Sequence, residues 1–165
     1  MFFNQLRFIQ LTFIVGLLIF TSCGPSKRTL AYRGELNKVV AASKNYLGTP
    51  YKYGGINHSG IDCSGLILQS YKAIDKPLPR TSKDQSKVGK KVKVKKLREG
   101  DLVFFAMGKR RRKITHVGMI TAVGGGKVMF IHASSSKGVV ERNLLEEYYL
   151  KTLRRSRRVL RKKDF

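Results

Sequence analysis

Acidic residues are scarce in this chain: ten Asp and Glu stand against 34 Lys and Arg, with three His, two Cys and no Trp among 165 residues. Two cysteines exclude a disulfide-dense scaffold and any four-cysteine zinc site. No internal repeat is visible, and the length suits a single domain. The hydrophobic share of 42% is ordinary for a globular chain and excludes wholesale disorder. The shortage of acid leaves a net charge of +24, which draws a protein to polyanions such as nucleic acid, anionic lipid or acidic wall polymer. Charge alone does not choose among them.

The N-terminus narrows the choice. Arg7 is the only charge before Lys27, and residues 11–20 are apolar apart from Thr12 and Gly16. Small residues Thr21 and Ser22 then lead into Cys23. A basic start, a short apolar run and a small-residue cleavage site predict an export signal over residues 1–22. The run falls just short of a membrane span, so an uncleaved anchor is the alternative. The ending Ile19-Phe20-Thr21-Ser22-Cys23 resembles the lipobox of bacterial lipoproteins, although Phe20 stands where Leu is usual. That resemblance implies lipid on Cys23, attachment to a membrane of the bacterial envelope, and a domain facing the periplasm or wall. Nucleic acid is then not an expected partner.

Residues 23–34 contain Gly and Pro without apolar periodicity and read as a tether. From Glu35 onward, Leu36, Val39, Val40, Ser43 and Leu47 recur at helical spacing, and Gly48 and Pro50 stop the helix. Residues 51–61 hold three glycines and read as loop. Asp62 is an N-cap type residue, followed at helical spacing by Cys63, Leu66, Ile67, Ser70 and Ile74. Lysines alternating with Val92 and Val94 within residues 90–96 suit an exposed edge strand. Residues 102–105, 117–123, 128–131 and 139–140 are short β-branched runs, with Gly124-Gly125-Gly126 as a hairpin signal. A short helix within 144–153 and a last strand at 157–160 complete the reading. Helices first and strands afterwards predict an α+β domain over residues 35–165, with helices packed on an antiparallel sheet.

Cys63 falls on the predicted first turn of a helix, where unpaired N–H groups and the helix dipole favour thiolate and make sulfur a nucleophile. A small buried cysteine is the plain alternative. His116 and His132 lie on predicted strands either side of the glycine triplet. A loop of odd length puts them on one face, directly opposite or one diagonal step apart, at about 4.5–8 Å between Cβ atoms. A two-residue loop would throw them to opposite faces. Two histidines presented to a helix-start cysteine make an activated thiol, one imidazole taking its proton and the other orienting the first. Two satisfied structural histidines, or a zinc site on Cys63, His116 and His132, are the alternatives, and the spacing matches no short zinc motif.

Six motifs now stand in order: residues 48–55 (GTPYKYGG), 62–66 (DCSGL), 78–82 (LPRTS), 100–105 (GDLVFF), 116–118 (HVG) and 131–133 (IHA). The set resembles the signature of NlpC-type cell-wall cysteine peptidases and runs from residue 36 to about 160. The resemblance implies a permuted papain-like domain, with Cys63 as nucleophile, His116 as general base and His132 as the orienting third member. It further implies that Tyr51 helps hold the oxyanion or scissile carbonyl. Asp62 and Ser82 match positions that contact the substrate's free amino group, with Arg80 nearby. Family substrates are peptidoglycan stem peptides, cut between D-γ-glutamate and the following diamino acid, with no metal and no cofactor.

Residue by residue, some of these positions carry a second reading. Asp62 is equally an N-cap, and its charge opposes thiolate formation at Cys63. Gly54 and Gly55 suit a turn as well as substrate approach, Tyr53 reads as packing, and His58 reads as solvated. Amidase or acyltransferase activity on the same Cys–His scaffold is a rival reading, as is a non-catalytic lipoprotein that binds the envelope through its basic surface. The basic stretches 90–96, 109–113 and 154–163 lie away from every proposed catalytic residue, and are expected to hold a monomeric domain against anionic lipid or wall polymer.

Overall fold

A computed structural model describes residues 24–108 and 112–165. The predicted signal segment, Cys23 and most of the basic loop at 109–113 lie outside the described residues. Helix α1, Lys27–Lys44, starts well before Glu35, so residues 27–34 are helix and not tether. Ser26 caps it, its hydroxyl accepting from the Thr29 N–H. Contacts from the far end of the chain hold the added turns. Tyr32 meets Phe165 edge-on at 6.1 Å between ring centroids, and Arg28 Nε donates to the Phe165 carbonyl at 2.9 Å. Such partners leave no trace in local periodicity. Val39 and Ser43 of the predicted face are buried, whereas Leu47 lies past the helix end and is exposed. Gly48 turns the chain at φ +80°, a conformation glycine adopts without strain.

The loop after α1 contains a small ribbon, β1 (Ile56–Asn57) and β2 (Gly60–Ile61), and feeds directly into α2, Cys63–Lys72. Asp62 caps α2 as its residue type predicts, accepting from the Gly65 N–H at 2.6 Å. The helix buries Leu66, Ile67, Ser70 and Tyr71. A short α3, Ser82–Gln85, follows behind a Thr81 cap.

Six antiparallel strands form the sheet, in spatial order β3 (Lys90–Lys91), β8 (Leu153–Arg158), β4 (Leu102–Phe105), β5 (His116–Gly124), β6 (Lys127–Ser134) and β7 (Gly138–Asn143). The lysine-rich segment does lie at the sheet edge, but its strand is only two residues long. Lys90 faces Arg158 and Lys91 faces Arg157, and like charges directly opposite do not favour a longer ladder. A 3₁₀ turn, Val94–Lys96, follows. The last strand begins at Leu153, earlier than expected, directly after helix α4, Glu147–Thr152.

The pleat divides the sheet into two faces. Leu102, Phe104, Val117, Met119, Ile131 and Ala133 pack toward α1 and α2 with Val39, Leu66 and Ile67. Val103, Phe105, Ile120 and Phe130 face the other side, under Leu144 and Tyr149. Gly118 belongs to this second face, where a Cβ would stand 2.6 Å from the Phe130 ring. Its missing side chain lets that ring lie across β5. Among the described residues, no helix is long and apolar enough to cross a membrane.

Candidate active site

The β5–β6 hairpin turns on two residues, not three. Gly124 pairs with Lys127, while Gly125 and Gly126 take φ of +55° and +70°, the positive pair that matches the twist of a hairpin. This contradicts the expected odd-length loop, and such a turn alone would separate the histidines. A β-bulge at Thr121 reverses the effect. Ala122 pairs with Met129, but Ile120 pairs with Phe130, so Thr121 is an extra residue on β5. An extra residue exchanges the two faces for everything beyond it. His132 therefore comes across from Gly118, one diagonal step from His116, and His116 Nε2 lies 2.9 Å from His132 Nδ1.

Aromatic rings fix both imidazoles. Phe130 stacks on His132 at 4.9 Å and 19°, and His116 meets His132 edge-on at 87°. The Tyr149 hydroxyl lies 3.5 Å from His132 Nε2. Burial, with the neighbouring His132, holds His116 well below the usual imidazole range. Burial and the nearby Arg142 charge do the same to His132. Both rings are neutral at physiological pH.

Cys63, on the α2 side of the sheet, meets it at the start of β5, where the Val117 N–H points at the sulfur. Burial pushes the thiol up to about 11 and the Asp62 charge adds to this, against the N–H groups of Val117, Ser64 and Cys63 itself. The expected thiolate is thus not the resting form, because the loss of hydration outweighs the helix start. Tyr51 bridges to Ile61 at the same end of the sheet. Burial raises its phenol, as do the nearby Cys63 and Asp62.

Asp62 is a structural hub. Oδ1 accepts from the Gly65 N–H, from Ser64 Oγ at 3.0 Å and from Arg80 NH1 at 2.9 Å. Oδ2 accepts from the Gly54 N–H at 2.9 Å and from Arg80 NH2 at 2.6 Å. Burial opposes its charge, but Arg80, Gly65 and Ser64 prevail and hold the carboxyl below the ordinary range. The glycine loop wraps this hub tightly: a Cβ on Gly55 would lie 2.2 Å from the Gly60 carbonyl oxygen, and one on Gly65 2.4 Å from that of Gly55. Ser82 is half-buried at the start of α3 and does not line the cleft beside the histidines. His58 is not simply solvated, for it stacks on Tyr46 at 4.2 Å and 8°.

A cleft of about 620 Å³ opens beside the imidazoles. Tyr51, His116 and His132 contribute to its wall, together with residues 133–137, Arg142 and Glu146 and the α4 tyrosines Tyr148 and Tyr149. Sequence reasoning missed Arg142 and Tyr149. The register supplied the absent signal: Arg142 stands directly across from Phe130, hence on the histidine face. Among the described residues, no group of three His, Cys, Asp or Glu is arranged to hold a metal ion.

Helices against an antiparallel sheet, with a cysteine at a helix start and a hydrogen-bonded histidine pair on the adjoining strands, are the arrangement of a papain-like cysteine peptidase. Residues 48–158 match the NlpC/P60 family, and the chain belongs to that family. It is 38% identical over 117 residues to the Escherichia coli protein named "Probable endopeptidase NlpC", covering 70% of this chain and 73% of that one. It is 36% identical over 121 residues to the γ-D-glutamyl-L-lysine dipeptidyl-peptidase of Bacillus subtilis, covering 73% of this chain and 40% of that one. The crystal structure of an NlpC/P60 family protein from Bacillus cereus superposes with a TM-score of 0.68 at 31% identity, over 76% of this chain and 40% of that one.

Proposed function

We propose that this peptidoglycan hydrolase is an endopeptidase that cuts stem peptides between D-γ-glutamate and the following diamino acid. The 2.9 Å bond between His116 Nε2 and His132 Nδ1 carries the reading. It occupies Nε2 and leaves Nδ1 as the His116 nitrogen for the thiol. The Bacillus subtilis relative, named for the γ-D-glutamyl-L-lysine linkage, supports the choice of bond.

In this mechanism His116 Nδ1 takes the Cys63 proton as the sulfur attacks the carbonyl carbon. A neutral thiol and a neutral imidazole suit proton transfer coupled to attack. The oxyanion forms near the Cys63 N–H and Tyr51 Oη. The C–N bond then breaks as Nδ1 returns the proton to the leaving amine nitrogen. A water, deprotonated by Nδ1, attacks the thioester carbon; the C–S bond breaks, and the sulfur recovers its proton. His132 orients the His116 ring, and Asp62 with Arg80 fixes the turn that presents Cys63.

The same reading places the protein in a bacterial envelope, anchored by lipid on Cys23 and acting as a monomer. The apolar segment before Cys23 supports the anchor. The bond from Arg28 to the Phe165 carbonyl gathers Lys27, Arg28, Lys162 and Lys163 where that segment joins the domain. Basic side chains beside an anchor add attraction to anionic headgroups.

The test is mass spectrometry of products from a defined tetrapeptide muropeptide. Wild type should release a fragment ending in D-glutamate, and Cys63→Ala should release nothing. Release of the whole stem from the sugar would instead identify an amidase. An intact substrate with wild type would overturn the proposal.

A further inference from the structure

Arg142 has no role in the chemistry described above, yet it occupies a costly position. It is half-buried on β7, directly opposite Phe130 and diagonal to His132 on the face that carries the imidazoles. Diagonal neighbours of this kind stand about 7–8 Å apart at Cβ, within reach of a long side chain. Arg142 lines the cleft and its charge acts on His132, but among the described residues no carboxylate lies within ion-pairing distance of it. The two acids closest to it in sequence are placed otherwise. Glu141 points to the other face and pairs with Lys44 at 3.3 Å, and Glu146 shares the cleft lining unpaired. Each of the other half-buried arginines among the described residues has an acceptor. Arg80 is bonded to Asp62 and Arg158 to Asp101. A half-buried arginine without a carboxylate partner in the wall of a cleft, with Lys137 at the same wall, suits a planar anion.

We infer that Arg142, flanked by Lys137, binds a free carboxylate of the stem peptide and so selects substrates that carry one beside the scissile bond. This rests on the proposed peptidase function and deepens it. Two groups have the right chemistry: the α-carboxylate of the γ-linked D-glutamate and the carboxylate of the diamino acid. Binding has a consequence for the imidazoles. Burial comes first among the influences that depress His132, and the Arg142 charge comes second. A carboxylate on Arg142 offsets that charge, so the pair gains proton affinity when substrate is seated. The other ionisable groups facing it are His116, Glu146, Lys137, Tyr51, Tyr148 and Tyr149, with Asp62 acting on His116, and Glu146 and Asp62 are the acidic ones among them.

The experiment has a binding arm and a cleavage arm, both on the full chain. In the first, Cys63→Ala is titrated by calorimetry with the tripeptide L-Ala-γ-D-Glu-diamino acid. The same peptide is then used with the glutamate carboxylate amidated, and again with the diamino acid carboxylate amidated. One of the two amides should bind about tenfold more weakly or worse, as expected for loss of a charge-assisted pair. Adding Arg142→Gln should weaken the parent peptide equally and abolish the difference, while Arg142→Lys restores part of it. In the second arm, Arg142→Gln in the active enzyme should raise KM more than it lowers kcat, and should move the acid limb of free-enzyme kcat/KM toward neutrality. Equal binding of all three peptides, no binding of any, or an amide preference that survives Arg142→Gln would overturn the inference. Selective binding without cleavage by wild type would leave it standing and remove the peptidase reading instead.

Discussion

His116 and His132 meet at 2.9 Å across a hairpin whose two-residue turn would by itself have parted them, and the single unpaired residue Thr121 is what brings them together. The contact also has a direction. For His116 Nδ1 to accept the thiol proton, Nε2 must carry hydrogen and donate to His132 Nδ1. His132 must then carry its own hydrogen on Nε2, which faces the Tyr149 hydroxyl. The tautomers follow from one another along the row.

Tyr149 therefore acts on His116 through His132. Tyr149→Phe keeps a ring against Phe105 and Phe130 and removes only the acceptor. At 3.5 Å the bond is weak, so kcat should fall about two- to fivefold, less than a full neutral hydrogen bond supports. KM and thermal stability should stay near wild type. Steady-state kinetics checks this, and an unchanged kcat would leave Tyr149 as packing alone.

Iodoacetamide reports the state of the thiol. With Cys63 pushed up to about 11, its alkylation rate should rise nearly tenfold per pH unit from 7 to 10, following the thiolate fraction. A rate already level at pH 7 would mean a preformed thiolate–imidazolium pair and a different first step.

Arg80→Met leaves the buried Asp62 carboxylate without its bidentate partner. Stability should drop by about 2–3 kcal/mol, as for an unsatisfied buried group and less than for a fully buried pair, because Arg80 is partly exposed. The acid response has a definite sign. The carboxyl of Asp62 is held below its unfolded value, so its contribution is full above about pH 4 and is lost as pH falls through the folded value. Urea unfolding at pH 7 should separate variant from wild type, and the gap should narrow as pH falls below the ordinary carboxylate range. A constant gap would show that Arg80 acts by packing.

Lys27, Lys162 and Lys163 test the basic collar. Changing all three to Gln should lower binding of the full chain to vesicles rich in phosphatidylglycerol by about 100-fold at low salt, at roughly 1 kcal/mol per charge. Added salt should narrow the difference. Hydrolysis of a small soluble muropeptide should change less than twofold. Lost hydrolysis would place these lysines in the fold or the site.

What the sequence disclosed was what neighbours in the chain decide. Asp62 as cap and Cys63 at a helix start each depend on a few adjacent residues, and each is where it was expected, whereas the first helix ends at Lys44, before the turn at Gly48. The strands from Leu102 to Val140 were legible because β-branched runs between turn residues form a local pattern. The early start of α1 was not, since Phe165 holds Tyr32 and Arg28 from the opposite end of the chain. The bulge was invisible because Thr121 looks like any strand residue until both partners are known. The two-residue turn and the bulge concealed each other: the wrong loop length still led to the right diagonal. Arg142 and Tyr149 escaped because their role depends on register and on the placement of α4.

The two borders of the six-stranded sheet are finished in different ways. At β7, the chain at residues 48–49 closes over Val139, with Gly48 N–H donating to its carbonyl and Val139 N–H to that of Thr49, both at 2.9 Å. At β3, the border is two lysines backed by two arginines. One side leaves few backbone groups open to a newcomer, and the other repels any strand with the same border. Where copies of the chain crowd together, these two margins keep them from stitching edge to edge into fibres.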